Sequence, residues 1–131
     1  MNRRTFFIAA ITAMVSTAAL AEDFVAYTPG LIQEKLAAGE TVFVDYAAVW
    51  CTTCASQERT IKSLRAENPA YDAAMTFVKV DWDEYGRAPV TTSRNIPRRS
   101  TLIVLRGDQE LGRIVAGTSK SQIKDLMDLG L

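Results

Sequence analysis

Hydrophobic and polar positions change their period several times along this chain, and each change marks an element. Thr41 to Ala47 (TVFVDYA) is β-branched, aromatic or small apolar at every position except Asp45. Such a run predicts a central strand covered on both faces. Thr76 to Asp81 (TFVKVD), Thr101 to Leu105 (TLIVL) and Glu110 to Ala116 are the next strands, with Gly107-Asp108 as the turn between the last two. Helical spacing appears at Leu31, Ile32, Lys35 and Leu36, with Thr28 as the expected N-cap, Pro29 in the first turn and Gly39 as the stop. A second helix opens at Cys51 to Cys54 and is broken by Asn68-Pro69. Ile61 and Leu64 mark its buried side, with Gln57, Glu58, Arg59, Lys62 and Arg65 expected outward. Pro69 to Ala74 fits one short helical turn, and Trp82 to Asn95, broken by Gly86 and Pro89, fits a loop holding a short helix. Ser119 can cap a final amphipathic helix carrying Ile123, Leu126, Met127 and Leu129. Phe24 to Tyr27 is a short edge strand or an ordered arm.

The order strand–helix–strand, then a hairpin, then a helix predicts an α/β fold. Its mixed sheet has four strands, or five if the arm pairs, with helices on both faces.

Residues 1–21 do not read as part of that fold. Arg3 and Arg4 precede an apolar run from Phe6 to Val15, and small residues end in Ala19-Leu20-Ala21. That is the order of a cleaved secretory signal peptide. The run is too short and too rich in Ala and Thr to span a bilayer comfortably, which takes about 20 apolar residues, and a retained N-terminal anchor is the alternative reading. Arg3-Arg4-Thr5-Phe6-Phe7 also resembles a twin-arginine signal, so the Sec and twin-arginine routes both stay open. A periplasmic location follows as the expectation, with residues 22–131 as one domain.

Without Arg3 and Arg4, 13 of the 15 basic residues face 15 acidic ones, a formal charge of −2. No clustered basic excess suggests nucleic acid; Arg94, Arg98 and Arg99 form the one local cluster. Histidine is absent, which removes the commonest general base and every imidazole metal site. No cofactor and no resident metal are expected, and the chain is expected to act as a monomer.

The two cysteines, Cys51 and Cys54, form one Cys-x-x-Cys. A bridge closing so small a loop constrains the unfolded chain little, which argues for a bond made to be opened and closed. Its place after a buried strand and at a helix start favours a thiolate at Cys51, because helix N-termini present free N–H groups and partial positive charge. Cys54, one turn further in, is expected to be more buried and able to resolve a mixed disulfide. Two other readings stay open: a copper(I) carrier using both thiolates, and a noncatalytic domain with a fixed disulfide.

The run Val44-Asp45-Tyr46-Ala47-Ala48-Val49-Trp50-Cys51-Thr52-Thr53-Cys54 resembles the active-site segment of the thioredoxin-like family, and especially the periplasmic domains of thiol–disulfide reductases. The resemblance covers nearly all of residues 22–131. It implies a thioredoxin fold, with Cys51 attacking, Cys54 resolving and Trp50 shielding the site. It implies that Asp45 is a buried acid able to move a proton off Cys54, with Lys79 on the next strand pairing with it. Disulfide-containing protein substrates and a membrane-bound electron donor are implied in the same way.

One position departs from the family, whose members carry a cis-proline opposite the cysteines. An ungapped placement puts Ser100 there, with Arg99 at the groove rim and Thr101 after it; Pro97 falls three residues too early. A cis bond before a non-proline residue costs roughly 2.5–4 kcal/mol, so Arg99–Ser100 is expected to be trans, with the Ser100 hydroxyl near the sulfurs.

Overall fold

The computed structural model describes residues 23–131, so the expected signal peptide lies outside the described residues. In chain order the elements are β1 (Val25–Ala26), α1 (Leu31–Ala37), β2 (Thr41–Ala47), α2 (Thr52–Glu67), α3 (Ala70–Ala74) and β3 (Met75–Asp81). Then come α4 (Trp82–Tyr85), α5 (Pro89–Thr92), β4 (Thr101–Arg106), β5 (Gln109–Val115) and α6 (Lys120–Asp128). The arm at residues 24–27 does pair, so the sheet has five strands in the order β1-β3-β2-β4-β5. β1 and β2 run parallel to β3, while β4 is antiparallel to β2 and β5 to β4.

Because strand side chains alternate between faces, β2 serves two cores. Val42, Val44 and Tyr46 pack with Ile32, Val78, Val80, Ile103 and Leu105 on the side of α1. Phe43 packs with Ile61, Leu64, Phe77, Leu102 and the α6 residues Ile123, Leu126 and Met127 on the other. Asp45 takes its place in this second series, between Phe43 and Ala47, and Ala47 packs on the two cysteines. Alternation along one strand therefore sets the carboxyl on the cysteines' face.

Local chemistry explains most element ends. Gly39, at φ +84°, closes α1: its amide reaches the Leu36 carbonyl and the next amide reaches Lys35, which is the paired bonding of a left-handed helix stop. The start of α1 differs from expectation. Gly30, at φ +88°, stands at its N-cap, and Thr28 instead accepts the Leu31 amide in a turn ahead of the helix. Ser119 caps α6 as expected, accepting the Gln122 amide at 3.4 Å.

Two α2 residues expected outward are buried. Gln57 is held through its amide, described below. Arg65 donates from Nε to Asp72 at 2.6 Å and lies 4.3 Å over the Phe77 ring, so its charge is paired and its plane packed.

Ala116 holds a left-handed backbone, φ +62°, and its amide bonds to the Ser100 carbonyl at 2.9 Å. A Cβ in that conformation costs about 1–2 kcal/mol, part of which the looser unfolded glycine chain returns. Ala116→Gly is therefore expected to stabilise the fold by about 0.5–1 kcal/mol. A higher urea midpoint at unchanged slope would show it, and a lower midpoint would refute it.

Candidate active site

β2 delivers the chain into a short turn, and Cys51 becomes the N-cap of α2 with extended backbone, φ −89° and ψ 111°. In that position its Sγ accepts the Cys54 amide at 3.2 Å. Helix starts leave such amides unpartnered, and here one is turned onto sulfur. Cys51 and Cys54 are bridged, with Cα atoms 5.2 Å apart. Both are buried, and Cys54 is the deeper.

Trp50 stands outside the pair, 56% exposed. Its indole N–H donates to the Asp83 carboxylate at 2.9 Å, and the Arg99 guanidinium lies 4.4 Å from its ring. Val49, 97% exposed, continues this apolar rim. Behind it a cavity of about 490 Å³ runs from the sulfurs past Ala47 and Ala55 to Tyr27, Glu58 and Lys79.

Asp45 is 0% exposed, and among the described residues neither carboxyl oxygen has a hydrogen-bond partner. Burial pushes its carboxyl up to about 7, with Lys79 drawing it down and Glu58 pushing it up. A carboxyl so placed can hold or release a proton near neutrality. The expected ion pair between Asp45 and Lys79 is not formed. The two residues are cross-strand neighbours, but Lys79 Nζ bonds to Glu58 at 2.9 Å. A partly exposed carboxylate on α2 is a better-solvated partner than a sealed one. Glu58 is buried in part, which alone would raise its carboxyl, yet Lys79 and Lys62 together hold it below its usual range.

Ser100 stands opposite the pair. Its backbone is left-handed, φ +62°, and every peptide bond among the described residues is trans, Arg99–Ser100 included. Ser100 N–H donates to the Tyr46 carbonyl at 2.7 Å, locking this corner to the end of β2. Its Oγ lies 3.2 Å from Cys51 Sγ and 3.1 Å from Cys54 Sγ. A left-handed serine costs about 1–2 kcal/mol, so the surroundings must hold it. Gln57 does so, donating its amide to the carbonyls of Ser100 at 3.0 Å and Gly117 at 2.9 Å. Gln57 was missed as a site residue, although Cys54, Gln57, Ile61 and Leu64 recur at one helical face and that spacing marks it as inward.

The remaining groove residues separate. Arg99 reaches the rim as expected. Its carbonyl accepts from Arg98 Nε at 3.0 Å and so is already engaged within the chain. Thr101 does not face the groove. It pairs with Tyr46 across the ladder, is 0% exposed, and donates its hydroxyl to the Arg98 carbonyl at 2.7 Å. Strand alternation sends its side chain to the α1 face, away from the sulfurs.

Comparison with known proteins supports this geometry. The family model for thioredoxin matches residues 24–129. Thioredoxin H2-1 of rice is 31% identical over 83 residues, 63% of this chain and 55% of the relative. A thioredoxin of Buchnera aphidicola is 28% identical over 106 residues, 79% of this chain and 92% of that protein. The chain spans 55% and 59% of the lengths of the two rice thioredoxins it matches. Among solved structures, Trxlp from Edwardsiella tarda superposes with a TM-score of 0.70 at 30% identity, covering 80% of this chain and 98% of its own. Thioredoxin NaTrxh from Nicotiana alata shares the fold, with a TM-score of 0.67 at 22% identity, over 87% of this chain and 97% of its own.

Proposed function

We propose that this chain, which belongs to the thioredoxin family, is a thiol–disulfide oxidoreductase that reduces disulfides of exported proteins through Cys51 and Cys54. The observation that carries the reading is the bridged pair at the start of α2, with Cys51 capped by a backbone amide and an unpartnered acid buried on the same face.

In the reduced protein the Cys51 thiolate attacks a substrate disulfide, and one substrate sulfur leaves as thiolate. Cys54 then loses its proton and attacks Cys51 Sγ, releasing the second substrate thiol and closing the internal disulfide. Asp45, poised near neutrality, takes the Cys54 proton during this step and returns it on reduction. The apolar rim of Val49 and Trp50 and the cavity behind it suit the unfolded or extended segment of a protein substrate.

Arg3-Arg4, the apolar run and Ala19-Leu20-Ala21 support export to the periplasm with cleavage after Ala21. An oxidising compartment then requires an electron source at the membrane, and the chain is taken to act as a monomer. Two measurements test the reading. Catalysed insulin reduction with a thiol donor is expected; its absence, with stoichiometric copper(I) uptake by the reduced protein, would favour a carrier instead. Mass spectrometry of periplasmic protein should find a chain starting at Glu22. A full-length chain retained in the cytoplasm would refute export.

A further inference from the structure

The cycle above leaves Ser100 without a task, yet it is the side chain nearest both reacting atoms. Its hydroxyl is buried, and among the described residues the two sulfurs are its only hydrogen-bond partners. In the bridged state neither sulfur carries a hydrogen, so the hydroxyl donates and its single proton serves one sulfur at a time. A disulfide sulfur is a weak acceptor, whereas a thiolate is a charged one and makes a much stronger bond. The interaction therefore gains strength when the pair is reduced. The charged groups around the pair are Asp45 on β2, Glu58 on α2, Lys79 and Asp81 on β3, Asp83 and Glu84 on α4 and Arg99 ahead of β4. Among the described residues none of them bonds to either sulfur; the direct donors are the Cys54 amide and the Ser100 hydroxyl.

We infer that the Ser100 hydroxyl is a catalytic hydrogen-bond donor that serves whichever sulfur carries the charge, Cys51 on attack and Cys54 on resolution. The inference rests on the exchange role proposed above. In the first step the Cys51 thiolate forms a bond to one substrate sulfur, the substrate disulfide breaks, and its other sulfur leaves as thiolate. Cys51 no longer accepts strongly, and the hydroxyl turns through its near-equal distances to Cys54. In the second step the Cys54 thiolate bonds to Cys51 Sγ, the mixed disulfide breaks, and the second substrate sulfur leaves. Two electrons pass to the substrate, and Ser100 exchanges no atom. The left-handed backbone clamped by Gln57 is what aims the hydroxyl midway between the sulfurs.

Ser100→Gly tests this cleanly, because glycine accepts the left-handed backbone while the hydroxyl is lost; Ser100→Ala is the second variant. Titrated by thiolate ultraviolet absorbance in a Cys54→Ser background, Cys51 should ionise about one pH unit higher in both, a tenfold loss of thiolate at a given pH. Equilibrium with glutathione should move about tenfold toward the disulfide, which is about 30 mV more negative. Folded variants with the wild-type midpoint and equilibrium would overturn the inference. The titration needs no substrate, so it decides the role of Ser100 independently; failure of wild-type insulin reduction would instead sink the exchange reading.

Discussion

Cys54→Ser will hold substrate proteins as mixed disulfides through Cys51, and Cys51→Ser will hold none and reduce none. The asymmetry follows from position. Cys51 caps α2 and borders the rim, so in the proposed cycle its sulfur is the one that meets the substrate, and it gains the backbone amide. Cys54 sits a turn deeper, where it meets Cys51 rather than a partner. Removing the resolving sulfur leaves the first step intact and blocks the second, which accumulates the intermediate. Removing the attacking sulfur substitutes a hydroxyl that stays un-ionised near neutral pH, and activity falls to the uncatalysed level. Non-reducing electrophoresis of extracts from cells carrying each variant reads both. Equal trapping by the two variants would contradict the assignment of roles.

Asp45→Asn will make the protein more stable at about pH 8 and slower in exchange. Asp45 has a native value of about 7 against an ordinary 3.8. Between these values the folded protein keeps a proton that the unfolded chain has released. Stability from this group is therefore present at low pH, declines as pH rises through the window, and is fully lost above about 7. About three pH units correspond to a penalty on the order of 4 kcal/mol, an upper bound because the fold can relax around the charge. The asparagine variant escapes the charge, so its urea midpoint should exceed the wild type's at about pH 8, by a margin that shrinks toward about pH 4. Exchange should slow by about 10²-fold, the low end for a lost general acid–base group. Stability curves for the two proteins that run parallel across this range would refute the buried, unpartnered state.

The periodicities made the fold largely legible. β2 forms over the residues expected, the breaks at Gly39 and Asn68-Pro69 fall where their backbone chemistry puts them, and the motif lies at a strand-to-helix junction. What escaped was decided by partners distant in sequence. Gln57 and Arg65 read as outward because their polarity was weighed and their helical spacing was not; carbonyls at 100 and 117 and the Asp72 carboxylate cover them. Lys79 chose Glu58 over Asp45, a choice between two acids that adjacency in the sheet does not settle. Thr101 was lost to the groove because the expectation followed sequence proximity to Ser100, although strand alternation sends the two side chains apart. The trans bond at Ser100 was foreseeable from covalent cost, whereas its left-handed φ was not.

β5 ends the sheet on one side, a seven-residue strand whose outer backbone groups face no neighbour in the sheet. Such an edge invites another chain to extend it, and the proposed handling of protein substrates would raise that risk. Here the ladder is interrupted between Val104 and Leu105, and the strand carries Gln109, Glu110 and Arg113, with Arg113 tied to Glu110 and to the carbonyls of Arg94 and Asn95. A kinked, charged border of this kind makes strand-on-strand growth costly. In the proposed cycle a substrate would then be engaged at the sulfurs without being recruited into the sheet.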